Sequence, residues 1–510
     1  MQSRYPKVQV PEVSIVQFFR SAIAAYGDRT ALIDGPSGRS YTYRQLLELS
    51  ASVANALIAR GLKPGERVAF ITPNLPEVAF AYHGVIAAGA VAMMLNPLST
   101  ADELKKYFAV GQPKMVVTVA PFVDVIRQAD AQIRIVCIGD AKDTEPLTAL
   151  LGASRAPPAL NISPDDLAVM PYSSGTTGFP KGVMLTHRNL VAQCLSLKGV
   201  SDAPIVVPDR HLIAVLPFFH IYGIVAFLTY GLMEGATIVT MPRFDLEQFL
   251  QLARRYELPT LHIVPPILLA LAKYPGDLQL PKLKNALVGA APLSAELARE
   301  FNRRTGALVS QVYGLTEVTG ASHLASYARA AEKPGSIGGI IANVEVKIVS
   351  IDTGKEVAGG EQGELWVRGP IVMKGYFENA QATAETIDKD GWLHTGDVGH
   401  ADKEGDFFVV DRVKELIKYK GLQVAPAELE AVLLTHEAVA DAAVFPQADA
   451  EAGEIPKAAV VLKPGKTITA EALMLYVQER VAPQKRVRVL EFVTQIPKSA
   501  SGKILRRLLK

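Results

Sequence analysis

Apolar residues fall along much of this chain in short unbroken runs rich in Val and Ile: RVAFIT (67–72), KMVVTV (114–119), IRIVCIG (133–139), DLAVMPY (166–172), ATIVTM (236–241) and TLHIVP (260–265). A run with no polar alternation suits a strand buried on both faces. Between many of these runs stand longer segments with helical spacing, at 43–60, 77–94 and 246–256. The alternation, from Ser40 to about Val309, predicts parallel sheets covered by helices. After Gly335 the pattern changes. VEVKIVS, GELWVRG and DFFVVD are separated by the turn sequences DTGKE, GGEQG and DKEGD, which predicts hairpins and a small antiparallel, barrel-like part. From Asp411 a third pattern follows: an amphipathic helix (Pro426–Leu434), a strand (439–446) and another helix (470–480). The expected fold is therefore α/β: a large N-terminal domain, residues 1–410, of stacked sheets with helices and the barrel-like part, then a small α+β domain, 411–510.

Length supports that division, since 510 residues exceed what one simple core usually serves. Hydrophobic residues make up 49% and charged residues 20%, ordinary for a globular enzyme. The net charge of +2 gives no strong field toward nucleic acid or a membrane surface. Segment 411–510 carries 16 basic against 12 acidic residues, which suits either a solvated surface or a partner bearing phosphates. Cys137 and Cys194 lie far apart without metal-ligand spacing, and read as buried small hydrophobes in a reducing, cytoplasmic setting. Residues 212–233 carry no formal charge and are long enough to span a bilayer. Pro217, His220, Gly223 and Gly231 interrupt them, so a buried strand, turn and helix is expected instead, with no transmembrane segment. The N-terminus has no apolar run behind its basic residues, and RRLLK is no peroxisomal address.

The chemistry concentrates first in SSGTTGFPKG, directly after the run ending at Tyr172. Ser173, Ser174, Thr176 and Thr177 supply hydroxyls, Gly175, Gly178 and Gly182 let backbone amides approach an anion, and Lys181 adds a charge. Convergent amides, hydroxyls and one ammonium make a phosphate cradle. It is not a Walker A loop, because Pro180 precedes Lys181 and Gly182 follows it.

SSGTTGFPKGV resembles the phosphate-loop signature of the adenylate-forming superfamily, which includes acyl-CoA synthetases, 4-coumarate–CoA ligases and firefly luciferase. The resemblance continues in order through GAAPL (289–293), QVYGLTE (311–317), GELWVRGP (363–370), GWLHTGD (391–397), DRVKELIKYKGLQVAPAELE (411–430) and PKSASGK (497–503). It covers nearly the whole chain.

That resemblance implies roles. Thr316 would meet the α-phosphate and Glu317 would hold Mg²⁺, the sole metal expected. Tyr313 would stack on adenine, with Gln311, Gly314, Gly289, Ala290 and Ala291 around the base and acid. Asp397 would accept both ribose hydroxyls, with Arg412 beside it. Lys503 would reach in from the terminal loop to bridge the acid carboxylate and the α-phosphate. Lys414 lies in the hinge segment, where the small domain would turn after the first half-reaction. The turn would bring Lys418, Lys420 and Gly421 toward CoA, and Gln423 toward the adenylate. His220 resembles the gate between acid pocket and CoA tunnel, and Tyr222, Val225, Val288, Val318 and Thr319 would line the pocket. This small, apolar lining suits an aryl or alkyl acid, and no acidic residue stands ready for an α-amino group.

Some positions depart from particular branches. Trp366 stands where plant 4-coumarate ligases have Cys, Val318-Thr319-Gly320 differs from the plant sequence, and Ile221-Tyr222 replaces luciferase's Gly-Phe. The implied activity is an AMP-forming acyl-CoA synthetase using ATP, Mg²⁺, a small carboxylic acid and CoA, as a monomer or homodimer without nucleic acid. The alternatives are an acyl-AMP ligase loading a carrier protein, a luciferase-like enzyme, or a non-catalytic adenylate binder. No carrier domain follows Lys510, which weighs against the first of these.

Overall fold

The computed structural model describes residues 1–173, 181–202, 210–358, 360–420, 422–449, 451–498 and 502–509, without the side chain of Arg507. Among these residues the strands form five sheets. The largest runs in the order Gly375–Tyr376, Lys181–Thr186, Leu167–Ser173, Val91–Met94, Arg67–Ile71, Met115–Val119, Arg134–Ile138 and Glu145–Pro146. Its centre is parallel, and Lys181–Thr186 folds back antiparallel on Leu167–Ser173. Val68, Phe70, Val116 and Val169 are buried on it, which explains why those strands lack polar alternation.

Segment 77–94, expected as one helix, is corrected. The helix spans Pro76–Ala87, Gly89 takes φ +73°, and Val91–Met94 becomes a strand between two parallel neighbours. Every residue of that helix is buried, so the sequence shows no polar face by which a helix could be told from the strand that follows. The helix Tyr43–Ala59 starts at a capping box formed by Thr42 and Gln45, and Leu246–Arg255 starts on the side chain of Asp245. Residues 212–233 follow expectation. A strand at His211–Ala214 leads through a turn into Ile221–Gly223, a π-type stretch Ile224–Thr229, and Tyr230–Met233. Among the described residues no helix is long and apolar enough to cross a membrane.

A second sheet brings Thr260–Ile263, Asn285–Val288 and Leu308–Leu315 together in parallel, then adds Gly320–Leu324 and Gly339–Ile340 antiparallel. The antiparallel part predicted after Gly335 is the sheet Glu345–Val349, Gly363–Arg368, Leu393–Ala401 and Phe407–Arg412. Beyond it, Ile417, Val424, Leu429, Leu433, Val444, Val460, Leu473 and Val477 bury one another in a separate cluster. The fold is thus α/β, with several sheets in a large N-terminal part and a smaller α+β unit at the C-terminal end.

Candidate active site

Three sheets converge on one cluster of polar side chains. Leu308–Leu315 stays paired with Gly320–Leu324 through a bulge between Tyr313 and Gly314, and the chain reverses through a short turn at Thr316–Val318. A Cβ on Gly314 would stand 1.6 Å from the Gly320 carbonyl oxygen, so only glycine allows the two strands to close here. Thr319 takes φ +57°, and its hydroxyl donates to the Ile371 carbonyl at 2.6 Å. The reversal exposes one edge of Glu317, whose backbone carbonyl accepts from Met373 N–H at 2.9 Å. Its Oε1 accepts from the Tyr376 hydroxyl at 2.9 Å. Lys181 Nζ lies 4.7 Å from the centre of the same Tyr376 ring. Burial and Glu317 both push the Tyr376 phenol up, which keeps it a donor.

Asp397 and Arg412 face each other across two antiparallel strands. Arg412 Nε meets Asp397 Oδ1 at 2.8 Å, and the Tyr313 hydroxyl donates to Asp397 Oδ2 at 2.7 Å. Arg412 Nη2 also donates to the Thr395 carbonyl at 3.0 Å. Burial opposes the Arg412 charge, but Asp397, Tyr313 and Glu317 outweigh it and the guanidinium is held above its ordinary value. Gln311 is buried and donates to the Pro334 carbonyl at 3.2 Å.

Lys503 belongs to this cluster. Burial, then the neighbouring Arg412, lowers its pKa, while Asp397, Glu415 and Glu317 act in the opposite direction. Gly502 beside it takes φ +82°, and a Cβ there would meet Pro266 Cγ at 2.6 Å. The terminal loop therefore rests against the start of the helix Pro265–Ala272 in the large N-terminal part. On the phosphate-loop side, Ser173 and Lys181 are register partners at the hairpin mouth. Ser174, Gly175, Thr176, Thr177 and Gly178 lie outside the described residues, as does Gly421.

A second group borders the cluster. A Cβ on Gly289 would lie 2.7 Å from both Val312 Cγ1 and the Val312 carbonyl oxygen, and 3.3 Å from the Tyr222 ring. Ala290, next to it, is exposed with φ +71°, a backbone state that costs a non-glycine residue on the order of 1 kcal/mol. A Cβ on Gly320 would touch Val225 at 3.6 Å. Tyr222, Val225, Gly289, Gly314 and Gly320 are thus contiguous, with Val288 and Val318 buried behind them. The Tyr222 hydroxyl reaches the Leu287 carbonyl at 3.3 Å. His220 stands before this helix, and its Nδ1 accepts the Tyr222 N–H at 3.2 Å. Burial pushes its pKa down to about 4, so at neutral pH the ring is uncharged with its proton on Nε2.

The hairpin Ile417–Tyr419 and Leu422–Val424 stands apart. Lys418 and Gln423 are exposed, and Gln423 Nε2 donates to Asp352 Oδ1 at 3.3 Å. Lys420 pairs with Glu451 at 2.8 Å. Lys414 sits exposed in the turn after Arg412. Sequence reasoning passed over Tyr376, which links Glu317 to Lys181; the available signal was the run MKGYF soon after GELWVRGP. Arg506, which pairs with Glu430 at 2.7 Å and with Glu415 at 3.5 Å, was also missed, since a charged residue near a chain end carries no local mark of burial.

Comparison with known proteins fits this geometry. Residues 19–377 match the family described as AMP-binding enzyme, and residues 428–503 match the AMP-binding enzyme C-terminal domain. The chain is 40% identical over 523 residues to 4-coumarate–CoA ligase 1 of Petroselinum crispum, covering 100% of this chain and 96% of that one. It is 43% identical over 535 residues to 4-coumarate–CoA ligase-like 9 of Oryza sativa subsp. japonica, covering 100% and 94%. Its fold is similar to ATP-bound MatB from Rhodopseudomonas palustris, with TM-score 0.89, 30% identity and 98% of both chains covered. The TM-score to the apo form of that protein is 0.79, at 30% identity and 98% coverage of both chains.

Proposed function

The chain belongs to the AMP-binding enzyme family, and we propose that it is an AMP-forming ligase that joins an aryl or alkyl carboxylic acid to CoA. The observation that carries this reading is Lys503, brought from the terminal loop into the cluster of Asp397, Arg412 and Glu317. In the first half-reaction a carboxylate oxygen attacks the α-phosphorus of ATP and the bond to pyrophosphate breaks. Lys503 would stabilise the charge that gathers between the two anions. Asp397, already accepting from Tyr313 and Arg412 in a fixed orientation, is set to receive the ribose hydroxyls. Lys181 and the loop before it would hold the departing pyrophosphate.

A divalent cation fits one carboxylate here. Among the described residues no group of three or more His, Cys, Asp and Glu forms a cage, and Glu317 stands half-buried beside Lys181 and Tyr376. Glu317 would hold Mg²⁺ together with the substrate's phosphates, and the ion would neutralise phosphate charge.

In the second half-reaction the CoA thiol sulfur attacks the acyl carbonyl and AMP leaves. We place a mobile domain from Asp411 onward, turning near Lys414, so that Lys503 withdraws and the hairpin with Lys418, Lys420, Gly421 and Gln423 takes its place. The higher TM-score to ATP-bound than to apo MatB supports an adenylating arrangement for the present one. Neutral His220, its Nδ1 taken by the Tyr222 N–H, would gate the passage between acid and thiol. Identity of 40% to a 4-coumarate–CoA ligase makes 4-coumarate the first acid to try. The test is AMP release with acetate, octanoate, palmitate and 4-coumarate, with and without free CoA. The reading expects one or more acids to give AMP only when CoA is present; acid-independent AMP release would contradict it.

A further inference from the structure

The terminal loop carrying Lys503 is fastened by one side chain three residues on. Arg506 Nη2 donates to Glu430 Oε1 at 2.7 Å, and Arg506 Nε donates to the Val444 carbonyl at 2.8 Å. Glu430 Oε1 also accepts the Val444 N–H at 2.8 Å, which closes a ring through a helix, a strand and the terminal loop. Arg506 Nη1 stands 3.5 Å from Glu415, in the turn that follows the Arg412–Val413–Lys414 segment. The Arg506 and Glu430 side chains are only 11% and 10% exposed, so these contacts are sheltered from water. Glu415 also opposes the lowering of the Lys503 pKa, so its charge bears on both cations. Asp411 ties the same turn to the helix Pro426–Leu434 by accepting the Ala427 N–H at 2.8 Å. The loop also rests Gly502 on Pro266 and packs Ile504 and Leu509 against the cluster of Phe445 and Ile496, with a Lys498–Ile504 bridge and the Leu505 N–H on the Pro497 carbonyl at 2.9 Å; Arg506 adds the buried ion pairs.

We propose that Arg506 is a positioning residue for adenylate formation, clamping the terminal loop to Glu430 and Glu415 so that Lys503 is presented at a fixed depth in the active site. The proposal rests on the adenylating role given to Lys503 above. A buried arginine held by two carboxylates and a carbonyl has a fork geometry that lysine cannot copy. Loss of the clamp lets Lys503 wander, and a misplacement of about 1 Å can cost on the order of 100-fold in rate. The thioester step, which does not use Lys503, has no need of the clamp.

The experiment is a double-mutant cycle on the full chain, with ATP, Mg²⁺ and whichever panel acid gives the fastest AMP release. Pyrophosphate formation and thioester formation from supplied acyl-adenylate are measured separately for wild type, Arg506→Met, Lys503→Ala and the double variant. Arg506→Met should lose about 10- to 100-fold in the rate of pyrophosphate formation at saturating substrates, with little change in KM for ATP. Thioester formation should hold within about twofold, and Arg506→Met should add nothing once Lys503 is Ala. Arg506→Lys should recover only part of the loss. Equal damage to both half-reactions, or an undiminished Arg506 effect in the Lys503→Ala background, overturns the proposal. If Lys503→Ala itself leaves pyrophosphate formation intact, the functional reading fails rather than the clamp alone. Should Arg506→Met not fold, Glu430→Gln weakens the 2.7 Å ion pair while keeping an amide oxygen for the Val444 N–H, and must show the same one-sided loss at smaller size; its absence is equally fatal.

Discussion

The C-terminal unit carries two lysine-bearing loops whose surroundings are opposite. The terminal loop rests Gly502 on Pro266 and holds Lys503 among Arg412, Asp397 and Glu317. The hairpin around Lys418 and Lys420 lies exposed, and Lys420 is engaged by Glu451. Their charges differ in the same sense: burial lowers the pKa of Lys503, whereas the hydrogen bond that Lys420 donates to Glu451 raises that of Lys420. One loop is shaped for contact with the site now, the other for water. The contrast fits the proposed turn, in which one unit offers first the terminal loop and then the hairpin to a single active site.

The largest effect that would sharpen this contrast lies in the fixed half of the site. Asp397→Ala should slow adenylate formation by roughly 100- to 1,000-fold, as for loss of one preorganised polar group at a reacting site, measured as acid-dependent pyrophosphate exchange. A tenfold effect or less would mean that Asp397 is only a strand-to-strand ion pair with Arg412.

Lys414→Pro addresses the turn itself. Proline fixes φ and restricts Val413 before it, so the thioester step should drop roughly tenfold or more while adenylation changes less. Unchanged CoA transfer would remove the reason for a domain swing. The two lysines can also be separated by pH. On the proposed mechanism adenylation uses the charged form of Lys503, so its rate should fall as pH rises through a value below the ordinary lysine range, and the thioester step should not share that limb. A common alkaline limb for both steps would erase the contrast. The smallest effect belongs to the exposed hairpin: Lys420→Ala should raise KM for CoA by about two- to fivefold, as befits a solvated charge.

Much of this was legible in the chain, for reasons that differ by region. The Val- and Ile-rich strands declare themselves because both their faces are buried, and the glycines of the site because no side chain fits at Gly314 or Gly289. The helix Pro76–Ala87 and strand Val91–Met94 ran together because neither has a polar face. The motifs located Glu317, Asp397, Arg412 and Lys503 along the chain, but which of them share a cluster depends on three sheets meeting. Tyr376 and Arg506 escaped notice for that reason: Tyr376 matters through Glu317 and Lys181, and Arg506 through Glu430 and Glu415, all distant in sequence.

The most direct measurement compares the two half-reactions in Lys503→Ala. Pyrophosphate formation from ATP and acid should fall by roughly 100- to 1,000-fold, as for loss of a group that stabilises developing charge. Thioester formation from supplied acyl-adenylate and CoA should stay within about twofold of wild type, because the proposed turn takes Lys503 out of the site before that step. Equal loss in both half-reactions would contradict a C-terminal unit that presents its two loops in turn.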